Sequence, residues 1–422
     1  MIAPARAPPS CDDGDVQASR PAPRGALGAI FLIVFLDLMG AGILVPVIPF
    51  VVQPYRSDAL TVGLLALAFS AAQFAAAPLL GAWSDRRGRR PVLLACLLGT
   101  AASYFLFGAA WSLAVLFAAR LLSGFAGGSI TTAQAYIADI SEPRDRARNF
   151  GLIGAAFGLG FILGPAMGGA LSRISLSAPA YASGVLSLVT FAVAAVTLKE
   201  TLPPEHRKAH EIRWRDLDPM QQIGGALRRA EFRELMLATF ALNFAMAGLQ
   251  TNFPVFTHAR FGLDASGNAI LFAFLGLMAA FTQGYLLRRL TRRVSEAALA
   301  VWGACLFAGG FAAAAVAHAV WLLYAAVALT ALGFGLANPA LTGLISRRAG
   351  AGEQGALLGT AQSASSLTRV VGPVWAGAVF DHLSNGAPYW SGVLFSLVAA
   401  YWAYHATHSG ARPAREETPV PR

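Results

Sequence analysis

The stretch Gly81-Ala82-Trp83-Ser84-Asp85-Arg86-Arg87-Gly88-Arg89-Arg90-Pro91 places five charged side chains between two long apolar runs. Arginines this close together are costly inside the hydrocarbon core of a bilayer, but they are favourable at its cytoplasmic surface. The stretch therefore predicts a hairpin of two membrane-spanning helices that is anchored at the cytoplasmic face.

Composition extends this prediction to the whole chain. Of the 422 residues, 56% are hydrophobic and only 13% are charged, whereas about a quarter are charged in soluble domains. We therefore predict an all-α polytopic membrane protein, with the lipid bilayer as its surroundings. The net charge of +10 comes from basic residues between apolar runs, so it indicates topology and not a nucleic-acid partner. With three cysteines and seven dispersed histidines, neither a metal site nor a cofactor is expected.

About 20 residues are needed to cross the hydrocarbon core as a helix, and the sequence contains twelve runs of this kind. Their length and their lack of strict alternation favour helices over barrel strands. The runs lie near residues 27–51, 61–82, 91–111, 113–138, 149–172, 179–199, 233–257, 267–287, 297–317, 320–344, 355–380 and 388–407.

Basic residues predict the orientation. If both termini are cytoplasmic, 27 of the 32 Lys and Arg residues fall in cytoplasmic segments. Only Arg56, Arg173 and Arg260 lie on the other side, and Arg120 and Arg369 lie within spans. This asymmetry predicts an integral protein of the cytoplasmic (inner) membrane, and the first span is too long for a cleavable signal peptide.

The polar segment 200–232 divides the chain into two six-helix bundles, 25–199 and 233–407, with cytoplasmic tails at 1–24 and 408–422. The bundles are repeats, because Gly81 and the arginines to Arg90 reappear as Gly284 to Arg293, and Gly164-Pro165 reappears as Gly372-Pro373. A repeat of six spans indicates a transporter whose binding site lies between the halves near the bilayer midplane.

Twelve spans in two repeats, with Gly81-x-x-Ser84-Asp85-Arg86-x-Gly88-Arg89-Arg90-Pro91 after span two, resemble the major facilitator superfamily. A run in span five resembles the motif of its drug:proton antiporters, through Gly158, Gly160, Gly164, Pro165, Gly168 and Gly169. Segments 35–49, 120–124 and 353–357 are similar to tetracycline-type exporters. The resemblance implies the major facilitator fold, multidrug efflux and antibiotic resistance, and we expect a monomer.

The resemblance also implies a cytoplasmic gate formed by Gly81, Asp85, Arg86, Gly88, Arg89, Arg90 and Asp139. Asp85 would face the start of span eleven near Gly355, where the helix dipole favours a carboxylate, and Arg89 would pair with Asp139. Retention of positive charge inside the cell explains the arginines as well, but it does not explain Asp85. The glycines of span five would pack at the interface between the halves and limit leakage.

Two charged residues inside the spans are candidates for proton coupling. Asp37 lies about 15 Å deep in span one, where a carboxylate can bind and release a proton as the cavity changes sides. The alternative is a cap on a helix bent near Pro46 and Pro49. Arg120 in span four would pair with an acid such as Asp37 in one state, or form a permanent structural ion pair.

Polar residues in apolar spans are candidates for the lining of a substrate cavity, or for hydrogen bonds between helices. Arg369 precedes Gly372-Pro373 and would bind an anionic substrate, or carbonyl groups freed at Pro373. The candidates for the cavity are Gln73, Gln134, Asn243, Gln250, Asn252, Gln283, Asn338, Gln362 and Arg369.

One departure concerns the substrate. Tetracycline exporters carry an Asp in span three, a His in span eight and an Asp in span nine, where this chain reads Ala102-Ser103-Tyr104, Met278-Ala279-Ala280 and Cys305-Leu306-Phe307. This argues against a cationic metal–tetracycline substrate.

The predicted function is therefore proton-driven export of an amphipathic small molecule by alternating access. The alternatives are a permease for a metabolite or anionic solute and a scaffold without transport. An enzyme is disfavoured because the sequence shows no nucleophile with a base, no phosphate loop and no metal cluster.

Overall fold

The computed structural model describes residues 26–127, 129–141, 146–202, 229–348 and 354–408, and within these ranges the chain forms helices and no strands. The predicted tail 1–24, most of the linker 200–232 and almost all of the tail 408–422 lie outside the described residues.

Twelve helical spans follow the twelve runs predicted from the sequence. Two of them are subdivided, because the fourth span has two pieces and the eighth contains a π-helical turn at Thr282–Leu286. A short helix, Ile48–Val52, follows the first span. The spans are α1 (Ala26–Leu44), α2 (Ala59–Arg87), α3 (Arg89–Gly108), α4a (Leu113–Ala126) and α4b (Ser129–Ile140), α5 (Arg146–Ser172), α6 (Ala178–Thr197), α7 (Ala230–Phe261), α8 (Ala265–Leu290), α9 (Glu296–Val316), α10 (Val320–Arg348), α11 (Gln354–His382) and α12 (Ala387–His408).

Length and composition support a membrane location for these helices. Within the described residues, eight helices are long and apolar enough to cross a bilayer, and shorter apolar helices occur at Leu113–Ala126 and Ile162–Ser172. Large apolar side chains are exposed around the bundle, and among them Trp111, Trp321 and Trp390 lie at or near the beginnings of α4a, α10 and α12. Tryptophan is enriched at membrane–water interfaces.

The basic stretch itself is helical and is not a loop. α2 continues to Arg87, beyond the predicted end at 82, and α3 begins at Arg89. Gly88 alone separates them, with a φ of +103° that favours glycine. The prediction was too short because Arg86 and Arg87 belong to the last helical turn, where positive charge complements the helix dipole.

The helices form two halves, α1–α6 and α7–α12. The second half has one large apolar cluster around Phe256, Phe307 and Leu341, and the first half has smaller ones. The halves meet where α2 packs against α11 and α5 packs against α8. We call the end of the bundle that carries Arg86–Arg90 the basic end, and the other end, which carries Asp58 and Asp381, the opposite end.

The glycine stripe of α5 packs inside the first half, against α1, and not at the interface between the halves. A Cβ on Gly164 would lie 2.8 Å from Met39 O, and one on Gly160 would lie 3.1 Å from Leu38 Cβ. Spacing by four residues puts Gly160, Gly164 and Gly168 on one helix face. Gly169 lies on a different face of α5, where a Cβ would meet Ala269 and Ser266 of α8 in the second half.

These contacts predict different results for two glycine-to-alanine variants. Gly164→Ala forces a methyl group into the backbone of α1, which should destabilise the protein by about 1–3 kcal/mol, as overpacking does. Gly309→Ala is the matched control, since no atom lies within 4 Å of the position of its Cβ. We expect a lower melting temperature in detergent for Gly164→Ala, and an unchanged or higher one for Gly309→Ala. Equal melting temperatures would contradict the close approach of α1 and α5.

Candidate functional site

Asp37 lies in the middle of α1 and is bound by a hydroxyl group from another helix. Ser129 Oγ donates a hydrogen bond of 2.7 Å to Asp37 Oδ2. Ser129 is the first residue of α4b, and it is buried. The carboxyl group of α1 is therefore held against the point where α4 is divided.

The division of α4 differs from the single span predicted for 113–138. α4a ends at Ala126, and Gly127 leaves helical geometry with a ψ of 4°. Gln73 of α2 donates from Nε2 to the carbonyl oxygen of Gly127, at 3.2 Å. This bond satisfies a carbonyl group near the end of α4a, so Gln73 supports the break and is not simply a cavity-lining residue. Broken helices are typical of binding sites in transporters.

The proposed cap on a bent helix does not describe Asp37. α1 ends at Leu44, and a turn at residues 45–47 leads to the short helix. Asp37 lies two helical turns earlier, and its hydrogen bond goes to Ser129 of α4b and not to the backbone at the bend.

Arg120 is held by aromatic rings. Its side chain in α4a is 9% exposed, and its guanidinium carbon lies 4.8 Å from the ring centre of Phe107 and 5.8 Å from that of Phe69. Among the described residues, no hydrogen-bond partner reaches its Nε or Nη2, and no ion pair joins it to Asp37.

The second half has an uncharged counterpart of the contact between α1 and α4. Asn243 of α7 donates from Nδ2 to Asn338 Oδ1 of α10, at 3.3 Å, and to the carbonyl oxygen of Thr239, at 2.9 Å. α7 and α10 are the repeats of α1 and α4. Each half therefore joins its first and fourth helices by polar side chains, but only the first half uses a carboxylate there.

The other predicted cavity residues do not all belong together. Asn252 is buried inside the second half, where its Nδ2 points to the carbonyl oxygen of Ala376 at 3.5 Å. It lines a small space with Phe244 and Tyr389, and so it does not line the space between the halves. Gln250 faces an apolar pocket of the second half beside Phe272. The sequence prediction failed here because helical spacing cannot distinguish a face toward the cavity from a face toward a neighbouring helix.

Three of the predicted cavity residues have side chains that are exposed on the surface of the helix bundle: Gln134, Gln283 and Gln362. Arg369 is exposed as well, and its Nη2 donates to Ser366 Oγ one turn earlier in α11, at 2.8 Å. The suggested bond from Arg369 to carbonyl groups near Pro373 is therefore replaced by a bond to Ser366.

The basic end contains a network centred on Arg89. Its Nη1 bonds to Asp85 at 2.5 Å and to Ser84 Oγ at 2.7 Å, and its Nε bonds to Asp139 at 3.1 Å. The pair expected between Arg89 and Asp139 is therefore present. The expected approach of Asp85 to the start of α11 near Gly355 stays a prediction, because residues 349–353 and the surroundings of Gly355 lie outside what the structure describes.

Glu200 is part of this network and was not found from the sequence. Its carboxylate accepts hydrogen bonds from the backbone N–H groups of Arg89, at 2.8 Å, and Arg90, at 3.2 Å. It thus caps α3, because Gly88 has no side chain to do so. Ala195 of α6 also accepts a bond of 2.6 Å from Arg90 Nη2.

Ser129 was also missed, although the sequence contains a signal for it. The pair Gly127-Gly128 directly before it interrupts the apolar run of span four, and adjacent glycines are a sign of a broken helix. Glu200 gave no comparable signal, because a carboxylate after a span is usually solvated.

Comparison with known proteins agrees with this architecture. A sequence profile described as Major Facilitator Superfamily matches residues 30–373 and, in a second match, 284–422. The chain is 33% identical over 380 residues to the class C tetracycline resistance protein of Escherichia coli, covering 89% of this chain and 94% of that protein.

Solved structures show the same fold. The human organic anion transporter MFSD10 superposes with a TM-score of 0.69 at 26% identity, covering 90% of this chain and 99% of that one. A bacterial homologue of the human lysosomal transporter Spinster, in an inward-facing and occupied conformation, gives a TM-score of 0.74 at 18% identity, with coverage of 92% and 98%. The chain is a membrane transporter that belongs to the Major Facilitator Superfamily.

Proposed function

We propose that this transporter is a proton-coupled antiporter that exports an amphipathic small molecule by alternating access. The observation that carries the proposal is the hydrogen bond between Asp37 of α1 and Ser129 of α4b, at the break in α4. The basic end is cytoplasmic in this proposal, both termini lie inside the cell, and the protein works as a monomer in the inner membrane.

The chemistry of the Asp37–Ser129 pair suits a proton carrier. An ionised Asp37 accepts the hydrogen of the serine hydroxyl, and a protonated Asp37 can donate its own hydrogen to the serine oxygen. The same contact therefore serves both protonation states without a permanent counter-charge. A carboxylate fixed by an arginine would instead stay ionised.

Arg120 supplies the means of releasing the proton. In the described conformation its guanidinium lies against Phe107 and Phe69, and its Nε and Nη2 have no hydrogen-bond partner among the described residues. When the halves rearrange, an approach of Arg120 toward Asp37 favours the ionised carboxylate.

Polar groups from both halves complete the substrate cavity. The Asn243–Asn338 pair belongs to the second half, and Arg369, Gln362 and Gln134 are exposed. A broad apolar surface with a few polar contacts suits amphipathic compounds. Since the ionisable groups of tetracycline exporters are missing from α3, α8 and α9, we propose that the cargo is not a cationic metal–tetracycline complex.

Replacing Asp37 tests the coupling. Asp37→Asn keeps the shape and a hydrogen bond with Ser129 but cannot carry a proton, so accumulation driven by a pH gradient should fall to the background of empty vesicles. The measurement uses inside-out vesicles with an imposed pH gradient and a panel of fluorescent amphipathic compounds.

Asp264→Asn is the matched control for this experiment. Asp264 is a carboxylate at the start of α8 that accepts a hydrogen bond of 2.7 Å from the N–H of Gly267. The Asp264→Asn variant should transport like the wild type. Gradient-driven accumulation that survives in Asp37→Asn would contradict the assignment of the proton to Asp37.

Replacing Arg89 tests whether the network at the basic end acts as a cytoplasmic gate. Arg89→Lys keeps the charge, but its single nitrogen cannot occupy both donor positions of Arg89, Nη1 for Asp85 and Ser84 and Nε for Asp139. We expect transport to slow by about fivefold, as for a modest conformational coupling, with little change in the substrate concentration at half-maximal rate. Arg87→Lys, at an exposed position, should transport like the wild type. Identical rates in the two variants would reduce the network to a topological anchor.

A further inference from the structure

The halves are in close contact along α2 and α11 at the opposite end of the bundle. A Cβ on Gly63 of α2 would lie 2.5 Å from the carbonyl oxygen of Pro373, and one on Gly377 of α11 would lie 2.6 Å from that of Ala59. A shared apolar cluster of Val47, Phe50 and Ala265 lies at the same end. This end is therefore closed in the described conformation.

A carboxylate of the second half binds the first turn of α2 at this closed end. Asp381, in the last turn of α11, accepts hydrogen bonds from the backbone N–H groups of Ala59, at 3.0 Å, and Leu60, at 2.7 Å. The first N–H groups of a helix have no partner inside it, and they carry partial positive charge. Two charge-assisted hydrogen bonds thus cross from one half to the other.

The start of α2 does not need Asp381 as a cap. Asp58, which directly precedes α2, accepts a hydrogen bond of 2.9 Å from the N–H of Thr61. This is the usual capping bond within one segment of chain. Asp381 binds two other N–H groups, so its contribution is to hold the two halves together and not to begin the helix.

A second contact joins the halves across α5 and α8 at the same end. Arg173 donates from Nε and Nη2 to Ser266 Oγ, at 3.1 and 3.0 Å. The acceptor here is a neutral hydroxyl group, whereas Asp381 offers a full negative charge to a helix N-terminus. Of the two contacts, the one made by Asp381 is the stronger by its chemistry.

We propose that Asp381 is a reversible latch that closes the extracytoplasmic end of the transporter by capping α2 across the halves. The inference rests on the alternating-access part of the proposed function. Because Asp381 is exposed, water replaces its hydrogen bonds when the halves separate, so the latch biases the equilibrium without locking it. It would be the counterpart of the contact expected between Asp85, at the other end of α2, and the start of α11.

Spin-label distances test the latch directly. Spin labels are attached at Gln53→Cys and Asn385→Cys, which are both exposed and lie on different halves. The distance between the two labels is measured in protein whose Cys11, Cys96 and Cys305 are replaced. Asp381→Asn should move the population from the short distance toward a longer one, changing the ratio of closed to open protein by about fivefold. Asp381→Glu, which keeps a carboxylate, should restore much of the closed population.

Asp58→Asn is the matched control, because it removes a carboxylate at the start of the same helix without touching the link between the halves, and asparagine caps a helix about as well as aspartate. It should leave the distance distribution unchanged. A wild-type distribution in Asp381→Asn would overturn the latch, and so would an equal shift in Asp58→Asn. The distances need neither substrate nor a pH gradient, so a failure of proton coupling in Asp37→Asn would leave this result intact.

Discussion

In the proposed mechanism, the transport chemistry depends on the hydrogen bond between Asp37 and Ser129. A carboxyl group inside an apolar helix is costly unless it is bound or protonated. The serine hydroxyl, placed at the start of α4b by the break in α4, binds it without adding charge. Gln73 supports the same break from α2. The proton site that we propose is therefore built from an irregularity of the fold.

Glycine contacts give the two kinds of helix packing that such a transporter needs. Gly160, Gly164 and Gly168 let α5 lie directly on the backbone of α1, and this contact is inside one half. Gly63 and Gly377 let α2 and α11 meet between the halves. The first contact joins helices within one half, and the second is the surface along which, in the proposed mechanism, the halves separate during alternating access.

The sequence predicted the twelve helices and the two halves, because apolar length is encoded residue by residue; the cytoplasmic orientation of the basic end stays a prediction. It also predicted the pair of Arg89 and Asp139. It did not predict Ser129, Glu200 or Asp381 as partners, since each binds a group that is remote in sequence or belongs to the backbone. It misplaced Asn252, because periodicity shows that residues share a face but not which neighbour that face meets.

The proton coupling is tested most directly by recording substrate and proton movement together. Purified protein is reconstituted in vesicles that hold a trapped pH-sensitive dye, and a transported compound is supplied on one side with no pH gradient imposed. The account predicts that movement of the compound down its gradient drives protons in the opposite direction, so that the pH inside the vesicles changes with transport. Movement of the compound with no change in internal pH would contradict the account.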